Sequence, residues 1–182
     1  QKASEQAERA GKIIRRMRDM VKKSDPVRWP ISLEFVIDET RAFADIEAQR
    51  NGTQILVDIP ENLPNIVVDR IMIEQVLLNL VKNGIEAMNE VPFSRRQLRI
   101  SARLADERML EITVADHGPG LAEEDIEKIF APFYTTKPDG MGIGLAICRS
   151  IIEFHQGRLW IERAPEGGSL FRFTVPIEVD DE

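Results

Sequence analysis

The sequence predicts an α+β domain: a two-layer α/β sandwich, a mixed sheet with its helices on one face, preceded by an N-terminal amphipathic helix. Three observations predict it. Helical and strand periods alternate from residue 31 onward. Two strand-like stretches, 97–104 and 109–115, are joined by the four residues Ala105-Asp-Glu-Arg108 and not by a helix, so they read as a hairpin within the sheet. The length of 182 residues, with 43% apolar and 30% charged, suits one good core and an appendage. The expected division is 1–28, a helix and linker, and 29–182, the globular domain.

The elements follow in order. Residues 4–23 carry an apolar stripe of Ala7, Ala10, Ile13, Ile14, Met17, Met20 and Val21, with basic residues on the other faces. Glu5, Glu8 and Asp19 are interspersed among those bases, so they read as a solvated face. Pro26 and the Trp29-Pro30 pair break the helix and form a linker. Residues from Ser32 or Leu33 to about Arg50 read as a second helix with Phe35, Val36, Thr40, Phe43 and Ile46 inward, ended by Asn51-Gly52. Residues 54–59 and 66–68 are strands. Asp69 then caps a helix that turns Ile71, Ile73, Val76, Leu77, Leu80 and Val81 inward. After the hairpin, residues 142–154 are a helix, 157–163 a strand, and 169–176 the last strand.

The formal net charge of -7 argues against a nucleic-acid partner, which usually requires a basic excess. An acidic balance fits a cytoplasmic enzyme, and no apolar run reaches the roughly 20 residues that span a bilayer. Cys148, the only cysteine, lies in an apolar run and is expected as a buried thiol, not a nucleophile. The chain opens in mid-helix without an initiator methionine and reads as a fragment.

Asn79 and Asn83 are four apart, on one face of a helix. An amide oxygen is a neutral hard ligand, suited to a magnesium ion shared with phosphates. A single helical asparagine is more often just solvated, but this pair is followed by two glycine-rich turns. Asp116 ends a strand and enters Asp116-His-Gly118-Pro-Gly120, where backbone can approach a flat ligand while the carboxylate accepts from an exocyclic amine such as adenine's. Gly140-Met-Gly142-Ile-Gly144 opens a helix whose N–H groups suit phosphate. No βαβ unit surrounds it, which excludes a dinucleotide fold, and no Walker loop is present.

Taken together, these residues resemble the sensor histidine kinases of two-component systems. Asn79-Leu-Val-Lys-Asn83 is similar to their N box, Asp116 to Leu121 to the first glycine box, Ile129-Phe130-Ala-Pro-Phe133-Tyr-Thr-Thr-Lys137 to the F box, and Gly140 to Leu145 to the second glycine box. Gly167-Gly-Ser169 and the strand that follows match the closing segment, so the resemblance covers about residues 31–176. The stretch from Ala7 to Arg18 resembles the second helix of the dimerisation and phosphoacceptor hairpin.

The resemblance implies a Bergerat-type ATP site of the GHKL superfamily. Asp116 would accept from adenine N6 with Gly118, Gly120 and Ser169 nearby, although the family usually has threonine at the last position. Asn83 would coordinate Mg2+, with Asn79 beside the phosphates. Gly140, Gly142, Gly144 and Leu145 would line the triphosphate, and Lys137 would reach its end. Phe130 and Phe133 would pack a nucleotide lid over residues 135–141, expected to move without ligand. Gly84 replaces the usual alanine at a cost of about 1 kcal/mol in helix propensity. The implied reaction passes the γ-phosphoryl of ATP to a histidine, and then to an aspartate of a response regulator receiver domain. The implied partners are ATP or ADP, that receiver, and a second copy through the hairpin. His117 and His155 both lack the acidic residue that follows the family's acceptor, so the acceptor is expected upstream and this chain alone is not expected to autophosphorylate. The rivals are a superfamily ATPase, a serine kinase, and a nucleotide-free dimerisation scaffold; the first would need a glutamate where Asn79 stands.

Overall fold

The computed structural model describes residues 27–137 and 140–179. The helix expected over residues 4–23 lies outside them. Strand β1 is Trp29–Ile31, helix α1 Leu33–Arg50, strands β2 and β3 Gln54–Asp58 and Ile66–Val68, and helix α2 Arg70–Ala87. Strands β4 and β5 are Gln97–Leu104 and Met109–Ala115. The short helix α3, Glu123–Ile126, precedes α4, Gly144–Phe154, and strands β6 and β7, Leu159–Arg163 and Ser169–Pro176, close the domain. The main sheet has the order β2-β4-β5-β7-β6; β2 and β4 are parallel and every other pair is antiparallel. This is the mixed α+β sheet that the periods predict.

Alternation decides which face is covered. Leu98 and Ile100 of β4, Leu110, Ile112 and Val114 of β5, and Phe171, Phe173 and Val175 of β7 are buried toward the helices. The opposite face carries a charged ladder. Arg103 Nε donates to Glu111 at 2.9 Å, Arg172 Nη1 to Glu111 at 2.8 Å, and Arg172 Nε to Glu162 at 3.1 Å. Burial alone would raise the Glu111 carboxyl, but the two arginine hydrogen bonds and charges outweigh it and hold the pKa below its ordinary value.

Helix α2 fits its expectation apart from Ile71, which is exposed, and its cap is as read: Asp69 Oδ1 accepts from Met72 N–H at 3.2 Å. Helix α1 has the expected bounds but a different inward face. Leu33, Val36, Ile37, Thr40, Ala44 and Ala48 are buried, whereas Phe35, Phe43 and Ile46 are exposed at 47%, 67% and 55%. The small Ala44 and Ala48 face inward on a helix that packs against α2, and the aromatics are left outside. Arg70 covers the Phe35 ring at 5.9 Å. Trp29 and Pro30, read as linker, form β1, which pairs antiparallel with β3. No helix among the described residues is long and apolar enough to cross a membrane.

One buried imidazole joins the ends of two helices. His155, fully buried at the end of α4, donates from Nδ1 to Ile151 O at 2.7 Å, while its Nε2 accepts from Asp69 N–H at 3.0 Å. Acceptance at Nε2 requires the neutral ring protonated on Nδ1. Burial lowers its pKa, with the Ile151 bond acting the other way. A depressed cationic pKa means that the unfolded state binds the proton more readily, so stability is level above the unfolded pKa of about 6.5 and falls as pH drops through the folded value. His155→Leu is expected to cost about 1–3 kcal/mol at pH 8, by leaving the Asp69 N–H unpaired, and to flatten the loss of stability as pH falls below about 6.5. Urea unfolding from pH 8 downward measures both effects.

Candidate functional site

Helix α2 is the spine of the site, and the expected residues meet it at three successive levels. At its middle, Asn79 Nδ2 donates to Cys148 Sγ at 3.1 Å. A Cβ on Gly144 would stand 2.7 Å from Asn79 Nδ2 and 2.9 Å from Oδ1, so glycine lets α4 begin against that amide without displacing it. Cys148 is completely buried, and burial pushes its thiol up to about 12. It is the inert thiol expected, with a partner that periodicity did not reveal.

One turn on, the Lys137 ammonium donates to Asn83 Oδ1 at 3.4 Å and forms an ion pair with Glu86. The Oε1 atom of Glu86 also lies 3.9 Å from Lys82 Nζ. The 135–137 turn is held locally, with Lys137 N–H donating to Thr135 Oγ1 at 3.1 Å. Glu86 was legible only as a helical glutamate, because its partner lies 51 residues away. Of the segment 135–141, Pro138 and Asp139 lie outside the described residues.

At the last level the first glycine turn lies along the end of α2. Asp116, 3% exposed, follows β5 directly. Its backbone N–H donates to Ser169 O at 3.0 Å. Its side-chain Oδ1 accepts from Gly118 N–H at 2.8 Å and Ser169 N–H at 3.3 Å. Both bonds fall on Oδ1, so Oδ2 has no protein partner among the described residues. Burial raises the Asp116 pKa, and the two backbone donors counter it in part. Gly120 is left-handed at φ 76° and faces the Gly168 carbonyl.

The second glycine turn packs back upon the F-box segment. Phe133 N–H donates to Gly142 O at 2.8 Å, and Gly140 N–H to Lys137 O at 3.2 Å. Leu145, in the first turn of α4, packs on the core. Phe130 is buried beneath Arg149, whereas Phe133, expected to pack, is 66% exposed with φ 68°. Its backbone bond to Gly142 holds that turn without the ring. Tyr134 takes the packing role instead, resting on the core with its hydroxyl donating to Asp125.

A test of this assembly lies at Gly84. A Cβ there would lie 2.5 Å from Leu98 Cδ1 and 3.4 Å from Asp116 Cβ. Overpacking a fully buried contact costs about 1–3 kcal/mol, against about 1 kcal/mol gained in helix propensity. Gly84→Ala is therefore expected to lower the urea midpoint. Leu98→Val, which removes the clashing methyl, should make the second substitution tolerated, so that the double variant is less destabilised than the two single effects together.

The family described as histidine kinase-, DNA gyrase B-, and HSP90-like ATPase matches residues 68–179. The sensor protein TdiS of Thauera aromatica is 43% identical over 171 residues, which is 93% of this chain and 31% of TdiS, so the chain spans about a third of that relative. The catalytic domain of the histidine kinase ThkA is 33% identical with a TM-score of 0.73, covering 82% of this chain and 95% of that domain. ThkA in complex with the response regulator protein TrrA gives a TM-score of 0.75 at 28% identity, covering 98% of this chain and 50% of that one. With the sheet order, the helix layer and this match to residues 68–179, the chain belongs to the histidine kinase-, DNA gyrase B-, and HSP90-like ATPases, as a catalytic domain of the sensor histidine kinase type.

Proposed function

We propose that this chain binds Mg-ATP along α2 and presents its γ-phosphoryl to a histidine on the hairpin segment of the full protein, from which it passes to an aspartate of a response regulator receiver. The observation that carries the reading is the Asp116 carboxylate, held through Oδ1 by two backbone donors and keeping Oδ2 for a ligand donor. An exocyclic amine such as that of adenine meets this need. It supplies a hydrogen bond to an oxygen that the protein's own donors leave open.

The donor set at Asn83 fits a cation. Its Oδ1 and the Glu86 carboxylate already converge on one positive charge, that of Lys137. Among the described residues no group of three or more His, Cys, Asp or Glu side chains is arranged to cage an ion, so Asn83 would hold magnesium jointly with phosphate oxygens and water. When bound there, magnesium supplies neutralisation of charge on the transferring group. The protein's own part is position: Asp116 fixes the base, the Gly140–Gly144 turn and Leu145 border the phosphates, and Lys137 reaches the terminal one. An imidazole nitrogen of the acceptor then attacks the γ-phosphorus as its bond to the β-bridging oxygen breaks, and ADP leaves. Asn79 cannot take a proton from water, because an amide is not a base, and its Nδ2 donates to Cys148. This favours phosphoryl transfer to a side chain over steady hydrolysis.

The complex of ThkA with TrrA supports a receiver domain as the partner, and the proposed location is the cytoplasmic side of a protein that dimerises through its hairpin. Incubated with Mg-ATP, the chain alone should retain no label, whereas a separate acceptor-hairpin fragment added to it should gain acid-labile phosphohistidine. Label held on this chain, or none on the fragment despite bound ATP, would overturn the transfer. Asn83→Ala should remove the magnesium dependence of ATP binding in calorimetry. Asn79→Glu should raise ATP hydrolysis, and an unchanged rate counts against the role given to that position.

A further inference from the structure

Glu86 places a negative charge three residues beyond Asn83, the residue assigned to magnesium and the phosphates. Left to itself, that carboxylate repels phosphate. It is not left to itself: Lys137, brought from the segment after the F box, pairs with Oε2 of Glu86 and reaches Asn83 Oδ1 at 3.4 Å with the same ammonium. The second cation near Glu86, Lys82, is at 3.9 Å and extends from the same helix. The side chains of Glu86 and Lys137 are 32% and 42% exposed, so the pair can open without unburying a charge.

We propose that Glu86 is a positioning residue, which holds the Lys137 ammonium against Asn83 in the nucleotide-free protein and competes with the terminal phosphate for it. The inference rests on the reading of this site as an ATP site. Nucleotide gains the lysine only by drawing it from the carboxylate. A phosphate group bearing more charge takes the lysine more completely and so bears more of the cost of breaking the pair, so Glu86 weakens ATP more than ADP and narrows the difference between them. The carboxylate acts through Lys137 and does not itself touch nucleotide.

A double-variant cycle tests this on the whole chain, with Glu86→Gln, Lys137→Ala and the pair, and with calorimetric affinities for ATP and ADP in magnesium buffer. Glu86→Gln is nearly isosteric at a half-exposed position, and urea midpoints confirm that each variant folds. Partly exposed ion pairs are weak, so Glu86→Gln is expected to tighten ATP by up to about fivefold and ADP by about twofold or less. In the Lys137→Ala background, where only direct repulsion by the carboxylate remains, the same change is expected to tighten both nucleotides less, and by a similar factor for each. Equal tightening with and without Lys137 would show plain repulsion by the carboxylate, and no change in either background would show an idle ion pair; either result overturns the proposal while leaving the ATP site intact. Failure of the unsubstituted chain to bind ATP or ADP at all would instead overturn the ATP-site reading, and the proposal with it.

Discussion

The close approach of helix α2 to the β4–β5 pair at Gly84 is the contact on which the rest depends. With no side chain there, Leu98 fills the space that a Cβ would take and Asp116 stands just beyond it. Every polar group of the site is referred to this helix. Asn79 and Asn83 are on it, Gly144 rests on the first, Lys137 reaches the second, and the turn after Asp116 runs beside its last residues. The apolar stripe from Ile73 to Ile85 clamps the other side of the same helix into the core. Packing on one side thus sets geometry on the other, and His155 secures the start of the helix through the Asp69 N–H.

Electrostatically, the site is arranged so that each costly group has a partner, or has one coordinate left for a ligand. Asp116 is buried and its charge is disfavoured, yet two backbone N–H groups hold one of its oxygens. A donor arriving at the other oxygen favours the charged form, so binding energy and ionisation support each other. Beside Asn83, Glu86 and Lys137 satisfy each other without burial. Such a pair adds little to stability, which leaves its lysine available for exchange. The rigid and the exchangeable groups therefore differ in burial, not in the strength of their charges.

Much of the architecture was legible because burial on one face imposes a period. Strands β4, β5 and β7 alternate cleanly, and their bounds follow from that alternation. The Asp69 cap and the buried thiol of Cys148 were legible for local reasons, a capping side chain at a helix start and an apolar run. Helix α1 misled because Phe35, Phe43 and Ile46 form a stripe as regular as the one that is buried. The choice between two stripes on one helix belongs to the partner. Strand β1 was hidden for a related reason, since Trp29-Pro30 gains its ladder only from β3, some 37 residues on.

By itself the sequence determined the layers, the order of the motifs and the helix face shared by Asn79 and Asn83, since these depend on spacings of a few residues. The tertiary structure alone decided which face of α1 turns inward, that Cys148 holds Asn79, that both Asp116 bonds fall on one oxygen, and that Glu86 holds Lys137. Those contacts join residues from 51 to 69 positions apart, or depend on the direction of a single hydrogen bond. Periodicity says which side of an element a residue occupies, whereas the meeting of two elements is set by packing in three dimensions.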